Sequence, residues 1–479
     1  MRRDRVVGVL VAVVTAGCSP GAGSPPQPGL SEAWRTVSIT PIGQPVAAGE
    51  TLVVYGTEGR DLFLYGVAIA DGAIRWRKAA TPSTVVAGIA VTPTVLDGRV
   101  AYFRPDFSAN LAGRLVVAAP DDGRDLIVTE PALFRSHPAH CADGKDICVT
   151  IADAKGTTVS RRFSVDAGGP VPDRGGTPAD SRFVGEALLD LGARDPEVLA
   201  GFEGGTIRWR SALSRHFSAG ASTDWGWYFE LYRSAGLYVG SVGRPADRQD
   251  RGGSVSDLSK QQTAALDAAT GAPTWHEDGT RFACNGTIVL ERTVAGDRSE
   301  PWPVRCRYHG TVRYDPATDA TTYAGLDVTV EGFDVATGKR TWSVSLGPAE
   351  AFMGEEKATP VRDAEVLVPA ATGPMIIDLS TGSTRAPAKA EVFWCSRNVW
   401  WDYRQSRDTR NGPASDWRGG SLLSACTGDG SPSTATPAHL APSLGATIGE
   451  RTVVAVAGAL VAYDRNGVRR SGDWKAPKT

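Results

Sequence analysis

Phe333-Asp334-Val335-Ala336-Thr337-Gly338-Lys339-Arg340-Thr341-Trp342 is the stretch on which the fold of this chain turns. An apolar strand meets an Asp-containing turn, the turn ends on glycine, and tryptophan stands four residues beyond it. The pattern returns as Leu266-Asp267-Ala268-Ala269-Thr270-Gly271-Ala272-Pro273-Thr274-Trp275 and as Val67-Ala68-Ile69-Ala70-Asp71-Gly72-Ala73-Ile74-Arg75-Trp76. With a different turn it recurs in Gly204-Gly205-Thr206-Ile207-Arg208-Trp209. Asp-x-x-Thr-Gly builds a turn whose last residue accepts positive φ, while the Asp and Thr oxygens accept bonds from the turn amides. A Trp at that offset faces a neighbouring sheet, where its ring packs and its N–H needs a backbone carbonyl. Copies without the Trp run through Val116–Ile127 around Gly123, Val149–Phe163 around Gly156, Met375–Arg385 around Gly382 and Val461–Arg470 around Gly467. Leu422–Pro432, with Gly428 and Gly430, is either a ninth copy or a hairpin inside a blade.

The composition agrees with a turn-rich all-β chain: 55 Gly and 31 Pro in 479 residues separate short apolar runs. At 42% hydrophobic and 22% charged, the chain has too much core material for intrinsic disorder. One four-stranded sheet cannot bury both faces, so the repeats must stack, and their spacing fits blades of a β-propeller. We expect a single all-β propeller of four-stranded blades over 34–479, with eight blades favoured and seven possible. The segments ALDAATGAPTW at 265–275 and GFDVATGKRTW at 332–342 resemble the tryptophan-docking motif of the PQQ-like propeller repeats. That resemblance implies blade docking by Trp76, Trp209, Trp275 and Trp342. It also implies closure by an N-terminal strand, here Trp34–Ile39, beside the strands of Val453–Asp464. The alcohol dehydrogenases of that family place a vicinal disulfide over their quinone and hold Ca²⁺ near a catalytic Asp. This chain has no adjacent cysteines, and no motif carries those ligands over, so neither PQQ nor a catalytic residue is expected.

The N-terminus reads as an address. Met1-Arg2-Arg3-Asp4-Arg5 precedes the apolar stretch Val6–Ala16, the pattern of a secretory signal over 1–17. Thr15-Ala16-Gly17-Cys18 resembles a bacterial lipobox, which makes Cys18 the lipidated first residue of the mature chain. Residues 18–33, including the Gly/Ser/Pro run Ser19–Pro28, form a tether. An extracytoplasmic, membrane-anchored chain is expected. Loss of Arg2, Arg3, Arg5 and Asp4 takes the net charge from −2 to −4, and no basic run points to nucleic acid. Setting Cys18 aside leaves six of the seven Cys, which formally allow 15 pairings. In an oxidising compartment the local pairs Cys141/Cys148, Cys284/Cys306 and Cys395/Cys426 are expected.

No nucleophile elbow, zinc-protease or phosphate-loop motif is present. His137, His140, Cys141 and Cys148 have the chemistry for a soft metal, but a disulfide-closed hairpin around Asp143-Gly144 is the favoured reading. Trp225, Trp227, Tyr228, Phe229 and Tyr232 are read as inter-blade packing, with a stacking surface as the alternative. Trp394, Trp400, Trp401, Tyr403 and Trp417, which stand among arginines, are also read as inter-blade packing, with a sugar- or peptide-binding surface as the alternative. Gly243–Gln262 is read as a solvated insertion. The expected function is a monomeric, non-catalytic binding scaffold for a protein or cell-envelope partner. A quinone-dependent dehydrogenase or a carbohydrate-binding or carbohydrate-active propeller is the alternative.

Overall fold

Strands covered on both faces read as continuous apolar runs. Thr51–Glu58, Asp61–Ala68 and Arg451–Val456 are of that kind, each with a buried centre. The computed structural model describes residues 30–464 except 60, 82–91, 107–112, 135, 142–145, 153–157, 172–181, 186, 192–196, 204–205, 249–252, 295–297, 354–357 and 403–415. Among the described residues the strands make eight blades, each antiparallel and mostly in chain order. Blades 1 to 4 span 40–80, 94–128, 133–171 and 182–212; blades 5 to 7 span 222–278, 280–347 and 359–385. Blade 8 takes three strands from 446–464 and its fourth from Ser31–Thr36, which pairs with Ala459–Asp464, Trp34 opposite Ala462. The ring therefore closes as expected, although the closing strand begins at Ser31, inside the span read as tether.

The core lies between blades. Val53 and Leu64 of blade 1 share a cluster with Val100 and Val116 of blade 2. Leu52 and Tyr65 on the opposite face meet Val453 and Leu460 of blade 8. Every blade thus depends on its neighbours for burial.

Four segments differ from their sequence reading. Gly156 lies outside the described residues, but the strands on either side of it, Ile147–Ala152 and Thr158–Ser164, are the paired middle strands of blade 3. The turn equivalent to the other docking turns is one hairpin later, where Gly168 has φ 70°. Leu422–Pro432 is not a ninth blade: it ends the long hairpin Val392–Asp402/Asp416–Thr427, whose Leu423 pairs in parallel with Val456 of blade 8. The stretch Gly243–Gln262 is not simply solvated. Its strand Ser254–Asp257 pairs with Thr311–Tyr314, in the outer half of blade 6's longest hairpin, so two blades share one projecting arm. Trp417 lies in a strand opposite Trp401 rather than in a loop. Gly205 and Gly467 lie outside the described residues.

Candidate functional site

Each docking tryptophan spans two blades. The indole N–H of Trp76 donates to the Pro120 carbonyl at 2.6 Å, that of Trp209 to Ala268 at 2.9 Å, and that of Trp275 to Val335 at 2.8 Å. Each acceptor lies three residues before a turn glycine of the next docked turn, Gly123, Gly271 and Gly338. A Cβ on Gly123 would stand 2.8 Å from the Trp76 ring, and one on Gly382 2.7 Å from Trp342. The residue opposite the ring within its own blade is small as well: Gly66 faces Trp76, Gly201 faces Trp209 and Gly332 faces Trp342. Trp34 docks in the same way, donating to the Ile69 carbonyl at 2.9 Å beside Gly72. The sequence reading missed it as a docking residue because no docking turn precedes it: the strand beside it, Ala459–Asp464, comes from the far end of the chain. The likeness to PQQ-like propellers thus holds for the fold.

The three expected disulfides, Cys141–Cys148, Cys284–Cys306 and Cys395–Cys426, are present. The first takes both sulfurs away from any metal set with His137 and His140. Among the described residues no three His, Cys, Asp or Glu side chains converge as ligands. The buried pair Arg305 and Glu331 crosses a sheet at 2.9 Å, and Arg307 holds the second Glu331 oxygen at 2.7 Å. Burial opposes the Glu331 charge, but hydrogen bonds from Arg307 and Arg305 hold its carboxyl below the usual range. Arg305 also donates to the Gly338 carbonyl at 3.1 Å, so this network braces the turn on which Trp275 docks.

The third disulfide clamps the hairpin Val392–Asp402/Asp416–Thr427. Phe393 and Cys426 pack with Val361, Leu367 and Ile376 of blade 7. Trp394 packs with Val454 and Tyr463 of blade 8. Farther along, Val399 joins the cluster between blades 1 and 2, and Gly420 lies against Gly43. The hairpin is a wedge across the inner edges of blades 7, 8 and 1. Gln44 locks it: its amide donates to the Ser421 carbonyl at 2.9 Å and the Ala455 carbonyl at 3.0 Å, and accepts from the Ala455 N–H at 2.8 Å.

Beside this wedge opens a cavity of about 1040 Å³, with Gln44 and Val46 on one wall, Thr359 and Pro369 on another, and Ser396, Arg397 and Asn398 on the hairpin. Asp429 also lines it, yet that carboxylate is engaged by its own turn through Thr427 and Ser431. Exposed Arg397 is the charge left to the cavity, with no ion pair among the described residues. Of the second aromatic group, Trp394 is buried against Tyr463. The side chains of Trp400, Trp401 and Trp417, and all of Tyr403, lie outside the described residues.

The first aromatic group divides. Phe229 and Tyr232 are buried, and Tyr228 packs against Phe282 with ring centroids 5.6 Å apart, as inter-blade packing predicts. Trp225 and Trp227 are 57% and 38% exposed. Sequence alone could not separate them, because alternation continues through the stretch while the pairing breaks between Ser222 and Trp227.

No protein-family model and no curated protein matches the chain. Among solved structures, a europium-containing methanol dehydrogenase aligns at 11% identity over 78% of this chain and 85% of its own, with TM-score 0.34. BamB from Moraxella catarrhalis aligns at 11% identity over 91% and 99%, with TM-score 0.27. The propeller domain of the Trilobed protease from Pyrococcus furiosus aligns at 10% identity over 73% and 97%, with TM-score 0.34. Such distant likenesses carry no activity to this chain.

Proposed function

We propose that this propeller is an extracytoplasmic, lipid-anchored scaffold that binds a segment of a protein partner without transforming it. The cavity beside the disulfide-clamped hairpin supports the reading. Its wall offers backbone groups, amides, hydroxyls and one guanidinium with no ion pair among the described residues, a set suited to holding an extended chain. Arg397 favours a partner segment that carries an acidic residue. The anchored protein, cross-linked gently in its native membrane, is expected to capture a discrete partner that Arg397→Glu loses. Equal capture by both forms removes the cavity from the function. Mass spectrometry of the mature N-terminus is expected to find a lipidated Cys18; an unmodified Cys18, or cleavage elsewhere, ends the anchor. The non-catalytic reading fails if incubation with PQQ and Ca²⁺ yields a bound chromophore absorbing beyond the protein band.

A further inference from the structure

The repeats supply their own control for one charged cluster. In each blade the residue before the one facing the docking ring has a partner on the preceding strand. In blades 1, 4 and 5 these two are Tyr65 and Val54, Ala200 and Leu189, and Ala264 and Gly240, all buried and uncharged. Blade 6 places Glu331 and Arg305 there, equally buried. A buried ion pair seldom stabilises more than apolar residues of similar volume, so the propeller itself does not require this one.

The charges around the pair do not cancel. Glu331 accepts from Arg305 and Arg307, and Arg307 also donates to Glu277, which leaves two arginines against two glutamates. The two residues after the turn glycine Gly338, Lys339 and Arg340, are left over. Exposed Arg340 stands 3.5 Å from Glu331, as a third guanidinium about a carboxylate already hydrogen-bonded by the other two. Lys339 makes no ion pair among the described residues. Asp334 of the same turn is engaged by the Thr337 N–H and hydroxyl. At the sister turns the two residues after Gly72, Gly271 and Gly382 are uncharged, and Arg124 after Gly123 has Asp122 at 3.8 Å.

The two extra cations face a space. Lys339, Arg340, Arg307 and His276 line an open recess of about 430 Å³ between the last strand of blade 5, Pro273–Asp278, and the docking turn of blade 6. A carboxylate would bring one negative charge to it. A phosphate monoester brings nearly two at neutral pH and three acceptor oxygens. A guanidinium holds such a group through parallel hydrogen bonds, and an ammonium adds a point charge.

We infer that this recess binds a phosphate monoester, with Lys339 and Arg340 on its oxygens and the buried Arg305–Glu331 pair holding Arg340 in place. The site shares no residue with the cavity beside the wedge hairpin and does not rest on the function assigned to that cavity.

Phenyl phosphate is the probe, titrated into the full chain at pH 8 by calorimetry, with phenyl sulfate as a control of the same shape and one charge fewer. Saturable binding of phenyl phosphate is expected, with phenyl sulfate at least about fivefold weaker. Lys339→Gln and Arg340→Gln change exposed side chains; each is expected to weaken binding severalfold, and the two together to abolish it, with an unchanged Tm. Arg305→Leu with Glu331→Ala gives blade 6 the residues of blade 4. This variant is expected to keep its circular dichroism and lose the preference for phosphate over sulfate; a retained preference overturns the positioning role. No binding of phenyl phosphate, equal binding of phenyl sulfate, or wild-type affinity in the double Gln variant overturns the inference. Malonate, a dianion of two carboxylates, bound as tightly would overturn the phosphoryl class. Phosphatidylcholine vesicles carrying phosphatidate identify the source. Stronger retention of the wild type than of the double Gln variant places the ester on a lipid headgroup, and equal retention places it on a soluble molecule.

Discussion

At the residue scale, the turn glycines carry two separate demands. Gly123 has φ 66° and lies under the Trp76 ring, whereas Gly98 has φ 70° and nothing within 4 Å of a Cβ. Gly98→Ala therefore meets only the left-handed penalty, about 1–2 kcal/mol. Gly123→Ala adds overpacking against the indole, about 1–3 kcal/mol more. Urea unfolding of the two variants is expected to show that difference; equal losses would mean the ring yields freely. A second residue-scale case is His216, buried with its Nε2 2.8 Å from Ser211 Oγ. Burial, then Arg215, lowers its pKa from 6.5 to about 4. The unfolded chain therefore binds a proton that the folded chain refuses. Its contribution is complete above pH 6.5 and lost as pH falls toward 4. His216→Asn is expected to flatten stability over that window in pH-dependent unfolding curves; an unchanged slope would place the titration elsewhere.

Elements in this ring are joined by few but specific devices, and Gln44 is the clearest. It satisfies two carbonyls and one N–H at the gap between the wedge hairpin and blade 8. Gln44→Ala leaves those groups unpaired, which costs about 1–3 kcal/mol. Gln44→Glu is expected to be worse, since a carboxylate would face two carbonyl oxygens. Thermal unfolding ranks the pair, and a milder Glu variant would contradict the assigned amide orientation. Nothing local marked Gln44, because Ser421 and Ala455 are 377 and 411 residues away in the chain. The docking turns were legible for the opposite reason. Asp267 and Asp334 accept from Thr270 and Thr337 within the turn itself, so the chemistry is written in adjacent letters. Blade 3 was misplaced by one hairpin because it carries neither that turn nor a docking Trp. Gly243–Gln262 looked like a loop because its strands pair with a hairpin of the following blade. Of the candidate cavity, only Cys395 and the arginine-rich hairpin gave any signal.

For the whole molecule, closure rests on Ser31–Thr36. Trp34→Ala removes the ring that covers Gly72 and is expected to cost about 3 kcal/mol, at the low end for Trp→Ala because the indole is half-buried. Deletion through Thr36 should do more, exposing Ala459–Asp464 as an open edge and turning one cooperative transition into a broad one. Calorimetry with limited proteolysis checks both; a single sharp transition after the deletion would show that seven intact blades and an open eighth suffice. The same strand has a consequence in time. Ser31 leaves the ribosome among the first residues of the fold, and its partner Asp464 follows almost at the end. At ~5–20 residues per second, that wait is on the order of a minute. During it the first strand to be made has no partner, and Gly72 has no cover. Closure must then be the last event of folding, so any chain cut short before Ala459 is left with an unsealed edge ready to pair with another chain.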